Sequence, residues 1–489
     1  MNPILNLKRR EFIKNSGLSL GAMAMGMMNA SANDKKHFQT HEAKVKSVIY
    51  LHMAGSPTQL DLFDPKPTLS RLDGTKCPKE MFEGKRFAFI KKHPILLGSP
   101  YRFKKYGECG MEMSELLPNI GSVADDICLI RSMTTDQFNH APAQLLLHTG
   151  KSQFGGAAMG SWINYGLGTL NKNLPGYVVL TSGGKFPSSG KSVWGSGFLP
   201  SKFQGVHCRS EGDPILYLSN PQGMDAHGRR QTLNTLKKLN EKHASDVGDP
   251  EIDSRIAQYE LAFRMQASVP EIVDLSKEPQ HILDMYGAKP GFVSDADSAA
   301  DPRNTYKASD AAFANNCLQA RKLVENGVRF VHLFDWGWDH HGNAKGESLE
   351  YTLPPKCGMV DKPIAALIKD LKQRGLLDST LIVFSGEFGR TPMAQYHKNE
   401  RQWTGRDHQP DAFSMWMAGG GIKGGHVHGE TTELGNAVAS GKVHVNDLQA
   451  TILHQLGIDP FKFSYSFQGL DQRLIGPTDH AKVLKNLLV

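Results

Sequence analysis

The sequence predicts an α/β domain built on a mostly parallel central sheet. Six short apolar or β-branched runs, most of them ahead of a glycine-bearing turn, recur at 45–53, 126–132, 176–181, 328–334, 379–384 and 413–417. Helical patterns fall between them, at about 112–124, 140–149, 157–166, 309–326, 361–375 and 446–456. Short, mainly apolar or β-branched runs suit strands buried on both faces, and alternation with helices suits parallel pairing, because each parallel connection must cross a face of the sheet. The 489 residues include 49 glycines, above the usual roughly 7%, as a domain with many tight loops requires.

The first 32 residues read as an address. Lys8-Arg9-Arg10-Glu11-Phe12-Ile13-Lys14 carries a twin-arginine pair, a weakly apolar run of 13 residues follows at 16–28, and Ala30-Ser31-Ala32 is a small-residue cleavage signal. Thirteen residues are too few to span a hydrocarbon core of about 30 Å, so no stable membrane anchor is expected. The twin-arginine export machinery is an expected partner, and the periplasm or the exterior is the expected destination. Residues 33–489 form the remaining domain.

Without residues 1–32 the chain loses four basic residues and one acidic, and its net charge falls from +7 to +4. So even a balance argues against nucleic acid as a partner. The six cysteines (Cys77, Cys109, Cys128, Cys208, Cys317, Cys357) are sparse and contain no Cys-x-x-Cys pair, which disfavours a structural zinc knuckle.

Ligands in open α/β sheets gather where strands end, so the residues after each strand carry the functional reading. The loop after 45–53 holds Asp61 and Asp64; both are candidate ligands, and both also suit ordinary turns. The second run leads to Asn139-His140-Ala141-Pro142-Ala143-Gln144, an asparagine-capped helix start. Residues 223–288 are polar, helical and free of strand signals, which reads as a helical insertion, and 290–306 reads as a surface loop. After 328–334 come Asp335, Asp339, His340 and His341 between glycines and two tryptophans; carboxylate with imidazole is a ligand set for zinc or manganese.

Glu387 follows 379–384 as a candidate ligand, and Arg390, three residues on, can clamp an oxyanion. Thr404-Gly405-Arg406-Asp407-His408 precedes the last strand, with His408 as a further ligand and Asp407 as ligand or orienting group. A divalent metal is therefore expected, zinc first, with calcium, manganese or magnesium as alternatives.

Taken together, the loop Gly55-Ser56-Pro57-Thr58-Gln59-Leu60-Asp61-Leu62-Phe63-Asp64, Trp338-Asp339-His340-His341, Ser385-Gly386-Glu387-Phe388-Gly389-Arg390, Gly405-Arg406-Asp407-His408 and the twin-arginine leader resemble the exported family called domain of unknown function 1501. That family is a branch of the alkaline phosphatase and sulfatase superfamily. The resemblance implies a three-layer α/β/α sandwich and a metal-dependent hydrolase of phosphate or sulfate esters, acting on a small-molecule or glycan substrate, sulfated glycans included. It places Glu387 at the superfamily's ligand carboxylate, although Phe388 stands where a His or Asn is usual. His140 falls on the nucleophile position and Gln144 on that of the helper arginine. No Cys or Ser stands at 140, which rules out formylglycine there. The open roles are His140 as nucleophile, base or ligand, Thr134 or Thr135 as nucleophile, a metal-activated water, or a non-catalytic metal- or ligand-binding relative.

Overall fold

The computed structural model describes residues 38–209, 220, 223–292, 310–396, 402–477 and 480–489. The expected leader, and most of the expected surface loop at 290–306, lie outside the described residues.

The strands that matter for the site are β1 (Ser47–Ala54), β2 (Ile127–Thr134), β3 (Tyr177–Ser182), β4 (Val206–His207), β5 (Phe330–Trp336), β6 (Thr380–Ser385), β7 (Gly389–Ala394), β8 (Arg406–Gln409), β9 (Phe413–Ala418), β10 (His426–His428) and β11 (Val443–His444). Nine of them form one sheet in the order β10-β2-β9-β6-β1-β5-β3-β4, with β11 also on β2, while β7 and β8 pair separately as an antiparallel hairpin. Every pairing in the large sheet is parallel except the two made by β9. All six expected strands form at nearly the expected places.

The helices used below are α1 (Gln59–Leu62), α2 (His140–Thr149), α3 (Met159–Leu167), α4 (Ala226–Val247), α5 (Pro250–Val273), α6 (Gln280–Tyr286), α7 (Ala312–Glu325), α8 (Leu353–Gln373) and α9 (Val445–Gln455). Alternate residues of β1 face two different cores, which is the signature of a sheet covered on both sides. Ile49, Leu51 and Met53 pack with Phe313 and Leu318 of α7 and Ile364 and Leu367 of α8. Val48 and Tyr50 pack with Leu147 of α2, Trp162 of α3 and Leu448 and Ile452 of α9. The protein is therefore a three-layer α/β/α sandwich.

Two expectations change. The stretch expected as a helix at 112–124 instead begins with a strand, Met111–Ser114, paired with Phe103–Tyr106, and has only a one-turn helix at Pro118–Gly121. Met111 and Met113 are buried while Glu112 is half-exposed, so the local period is two rather than 3.6. Helix α8 starts at Leu353, earlier than expected, because Pro354 fits the first turn, where its missing N–H has no partner to lose. In the 223–288 stretch, α4 and α5 lie against each other and Met265, Val269, Ile282, Leu283 and Tyr286 join the core on the α7 and α8 side.

Register places the site. β1 pairs with β5 from Val48↔Phe330 to Ala54↔Trp336 and with β6 from Ser47↔Thr380 to His52↔Ser385. These three central strands thus end together, and the loops that begin at Gly55, Gly337 and Gly386 leave from one rim.

Candidate metal centre

Four side chains meet at that rim. Asp339 and His341 come from the loop after β5, His140 is the first residue of α2, and His408 lies in β8. His408 precedes its sheet strand whereas the others follow theirs. The reason is topological: β9 runs antiparallel, so the chain enters it at the edge where the parallel strands exit. One ligand atom from each of the four residues lies within 4.8 Å of all the others.

Each imidazole is fixed at one nitrogen and presents the other. His408 Nδ1 donates to the Phe138 carbonyl oxygen at 2.7 Å, His140 Nδ1 donates to Glu387 Oε1 at 2.7 Å, and His341 Nδ1 donates to Gln395 Oε1. All three Nε2 atoms then face the Asp339 carboxylate: His341 at 2.7 Å and His408 at 3.5 Å from Oδ1, and His140 at 3.3 Å from Oδ2. His341 Nε2 and His408 Nε2 are 3.1 Å apart. With both Nδ1 protons committed outward, two lone pairs point at each other, and only a shared proton or a cation relieves that. Histidines held this way, with the far nitrogen bonded to a carboxylate, carbonyl or amide oxygen, are the usual arrangement of metal ligands.

The spacing fits an ion as well. Tetrahedral zinc with ligands about 2.1 Å away spaces those ligands roughly 3.4 Å apart; the three contacts to Asp339 and the His341–His408 contact run from 2.7 to 3.5 Å, and all four ligand atoms lie within 4.8 Å of one another. His140 Nε2 is buried with no hydrogen-bond partner of its own. Three neutral nitrogens and one carboxylate oxygen suit zinc or manganese better than calcium or magnesium, which prefer all-oxygen sets.

The electrostatics are strongly coupled. Burial works against charge on His140, but Asp339 and Glu387 outweigh it and raise its pKa to about 9. Burial disfavours the Asp339 charge too, yet His140, Arg390 and His341 hold that carboxyl well below the usual carboxylate range. Glu387 is driven down to about 2 by His140 and His52 against the effect of its burial. His408 is pushed down to about 4, chiefly by burial, with Arg390 and His140 adding to the effect. It therefore offers a neutral nitrogen across the physiological range.

Several expected site residues sit elsewhere or do something else. Asp61 is not at the centre: fully buried, it accepts Arg406 Nε at 2.8 Å and Nη2 at 3.0 Å, with Thr58 Oγ1 at 2.6 Å. Asp64 accepts from Thr431 and pairs with Lys66 at 3.0 Å. Asp407 is not in the cluster: its Oδ2 accepts the Phe89 and Ile90 amides at 2.7 and 2.9 Å, and its Oδ1 accepts the His408 amide at 2.8 Å, so both oxygens are committed to backbone. Glu387 stands one layer back: Oε1 accepts from His140, from Gln144 Nε2 at 3.0 Å and from the Gly55 amide at 3.1 Å.

Arg390 is not an open clamp. Its guanidinium is 1% exposed and donates to the Ser56 carbonyl at 3.1 Å, the Arg406 carbonyl at 3.2 Å, the Gly55 carbonyl and Asp339 Oδ1 at 2.5 Å. It neutralises and aims Asp339. Thr134 Oγ1 donates to the Val443 carbonyl at 3.3 Å.

Three supporting residues escape a reading by strand ends. Gln395, just past β7, fixes His341. Gly55 has φ +105°, and a Cβ there would lie 2.7 Å from the Asp339 amide nitrogen, so only glycine lets the two loops touch. Ser56, at φ 64°, accepts the Glu387 and Phe388 amides on Oγ at 3.1 Å each. The Gly-Ser-Pro turn was the available signal, but it reads equally as loop chemistry.

The family model described as "Protein of unknown function (DUF1501)" matches residues 45–488, nearly the whole chain. The chain belongs to the DUF1501 family. That match runs from β1 to the C-terminal turn and includes all four residues of the centre. No curated protein matches the sequence significantly. Among solved structures, this DUF1501 chain is similar to a sulfatase from Pseudoalteromonas sp. (14% identity over 93% of this chain and 76% of that one, TM-score 0.38). It is also similar to a phosphonate monoester hydrolase of Agrobacterium radiobacter (12%, 90% and 77%, TM-score 0.36) and to an alkaline phosphatase from the Antarctic bacterium TAB5 (9%, 85% and 99%, TM-score 0.31). These likenesses are loose and assign no substrate to the DUF1501 chain.

Proposed function

We propose that this protein is an exported metal-dependent hydrolase of phosphate or sulfate esters, with the ion held by His140, Asp339, His341 and His408. The supporting observation is the His341–His408 pair, whose inward nitrogens stand 3.1 Å apart with both outer protons donated to oxygens. A divalent ion bound there, zinc first among the candidates, supplies positive charge that polarises an ester oxygen.

The chain's own residues do the rest. Arg390 balances Asp339 from the protein side, and Glu387 keeps the His140 Nδ1 proton in place, so that Nε2 faces the ion. Phe388 lies across His140 and His408, and Phe89 meets His341 and His408 edge-on, so both rings exclude water from the imidazoles. In this reading His140, though it occupies the nucleophile's place in the family resemblance, is a ligand. Residues 1–32 act as the twin-arginine leader, and residues 33–489 form the hydrolase domain with 223–288 as its helical insertion.

The absence of a hydroxyl or thiol at 140 favours a second reading, a metal- or ligand-binding relative without turnover. Aryl phosphates and aryl sulfates, assayed with the metal-loaded protein, separate the two. Turnover lost in Asp339→Asn supports the hydrolase, while bound metal with uniform inactivity across both ester classes supports the binding protein.

A further inference from the structure

Behind the centre, inside the sandwich, lies a polar spine that the four proposed ligands do not account for. Helix α2 presents His140, Gln144 and His148 at intervals of four residues, and so on one face. His140 and Gln144 donate to Glu387 Oε1 at 2.7 and 3.0 Å, and the His148 ring stands edge-on to His52 of β1 at 4.6 Å between centroids. His52 is 0% exposed, and strand register sets it opposite Ser385, the last residue of β6.

The two oxygens of Glu387 are used unevenly. Oε1 accepts three hydrogen bonds, the third from the Gly55 amide. Oε2 is buried without one and faces His52 Nε2 at 3.5 Å, and that nitrogen has no hydrogen-bond partner either. A carboxylate only accepts, so the imidazole nitrogen beside it must carry a proton. Nδ1 of His52 is then free to accept, and the Ser385 hydroxyl, 3.3 Å away, donates to it. An apolar side chain at 52 would leave a buried carboxylate oxygen against hydrocarbon, which is costly. His332 supplies the contrast. Equally buried on β5, it meets the His148 ring from the other side at 4.6 Å, but its Nδ1 pairs with the Tyr177 hydroxyl at 3.1 Å, away from Glu387.

We propose that His52 is a positioning residue of the metal centre: its Nε2–H holds Glu387 Oε2, which keeps Oε1 on His140 Nδ1 and so aims His140 Nε2 at the ion. This rests on the metal-binding part of the proposed function. His52 touches neither the ion position nor a substrate, and acts through Glu387.

The test is the zinc affinity of the mature protein, measured by competition with a chromophoric chelator. His52→Leu is expected to bind zinc about tenfold more weakly, at the low end of the 10- to 100-fold typical of groups behind a ligand. His52→Gln, whose amide N–H reaches about as far as the imidazole Nε2, should recover affinity to within about threefold of the parent. His332→Leu, the same change one strand away, should leave it unaltered. If His52 acts through Glu387, adding His52→Leu to Glu387→Met weakens zinc no further. A further loss of similar size in that background, an equal loss in His332→Leu, no recovery in His52→Gln or no loss in His52→Leu assigns position 52 to packing and overturns the proposal. Where His52→Leu does not fold, Ser385→Ala, which removes the donor to Nδ1, takes its place with the same comparisons.

Histidine 15N spectra of the ion-free parent separate this role from the metal reading. A proton on His52 Nε2, with the His140 Nδ1 proton protected from exchange, in a protein that takes up no zinc leaves the positioning role and removes the ion. A proton on His52 Nδ1 alone overturns the role even where zinc binds.

Discussion

His341 Nε2 faces His408 Nε2 at 3.1 Å across a chain separation of 67 residues. While both rings are neutral, with their Nδ1 protons given to Gln395 and the Phe138 carbonyl, neither nitrogen can donate to the other. That facing pair is the most specific support in the fold for a bound ion.

Metal content is the first consequence. The purified mature protein is expected to hold one divalent ion per chain through dialysis, and His341→Ala, His408→Ala or Asp339→Asn is expected to weaken it by roughly 100-fold or more, since even outer-shell changes cost 10- to 100-fold. Elemental analysis after dialysis against a graded chelator reads this out. Full retention in all three variants would place the ion elsewhere or nowhere.

A second consequence concerns pH. In the ion-free protein Asp339 and Glu387 outweigh burial and hold His140 protonated up to about pH 9, so an ion must displace that proton. Apparent affinity should therefore rise as pH rises from about 6 to 9, by up to about tenfold per unit, and level off above. Calorimetry at pH 7 in buffers of different ionisation enthalpy should count close to one proton released per ion. His140→Gln, which has no such proton, should flatten the profile.

Arg390→Met tests the buried cation behind Asp339. The substitution keeps length but removes donors to two loop carbonyls, to the Arg406 carbonyl and to Asp339. Breaking a buried pair typically costs 3–5 kcal/mol, so a loss of about 3 kcal/mol is expected in denaturant unfolding, reduced somewhat because Asp339 is 29% exposed. A variant as stable as the parent would mean the guanidinium does not organise the loop.

Gly55→Ala tests the contact between loops. Alanine at φ +105° is strained, by about 1–3 kcal/mol, and its Cβ would collide with backbone at Asp339 and Trp338. The expected outcome is a folded protein with reduced stability and clearly weakened metal binding. Gly74→Ala, at φ +77° with open space around it, carries similar strain without the collision and should leave the metal untouched.

The sequence reading reached the sheet more fully than the site. Buried strands such as β1 and β6 are mainly apolar runs that end ahead of glycine turns, so their places follow from local pattern. Met111–Ser114 misled because two methionines around one glutamate fit a helical face as well as a strand. At the site, Asp339, His341 and His408 stood out because they follow or precede strands. Asp61 and Asp64 stood in an equally suggestive loop, and only the partners that folding brings, Arg406 for one and Thr431 and Lys66 for the other, remove them from the centre. Pairings across 345 or 367 residues leave no trace in local composition.

The strand β9, the one antiparallel member of the large sheet among the described residues, has a bearing on where the proposed ion would be acquired. Because it turns the chain back to deliver His408 beside His140, 268 positions away, the cage closes only when nearly the whole sandwich is built. A nascent polypeptide would have no grip on the ion. If it travels folded through the twin-arginine route, the cytoplasm's metal pool, rather than that of the destination, decides which element is carried out.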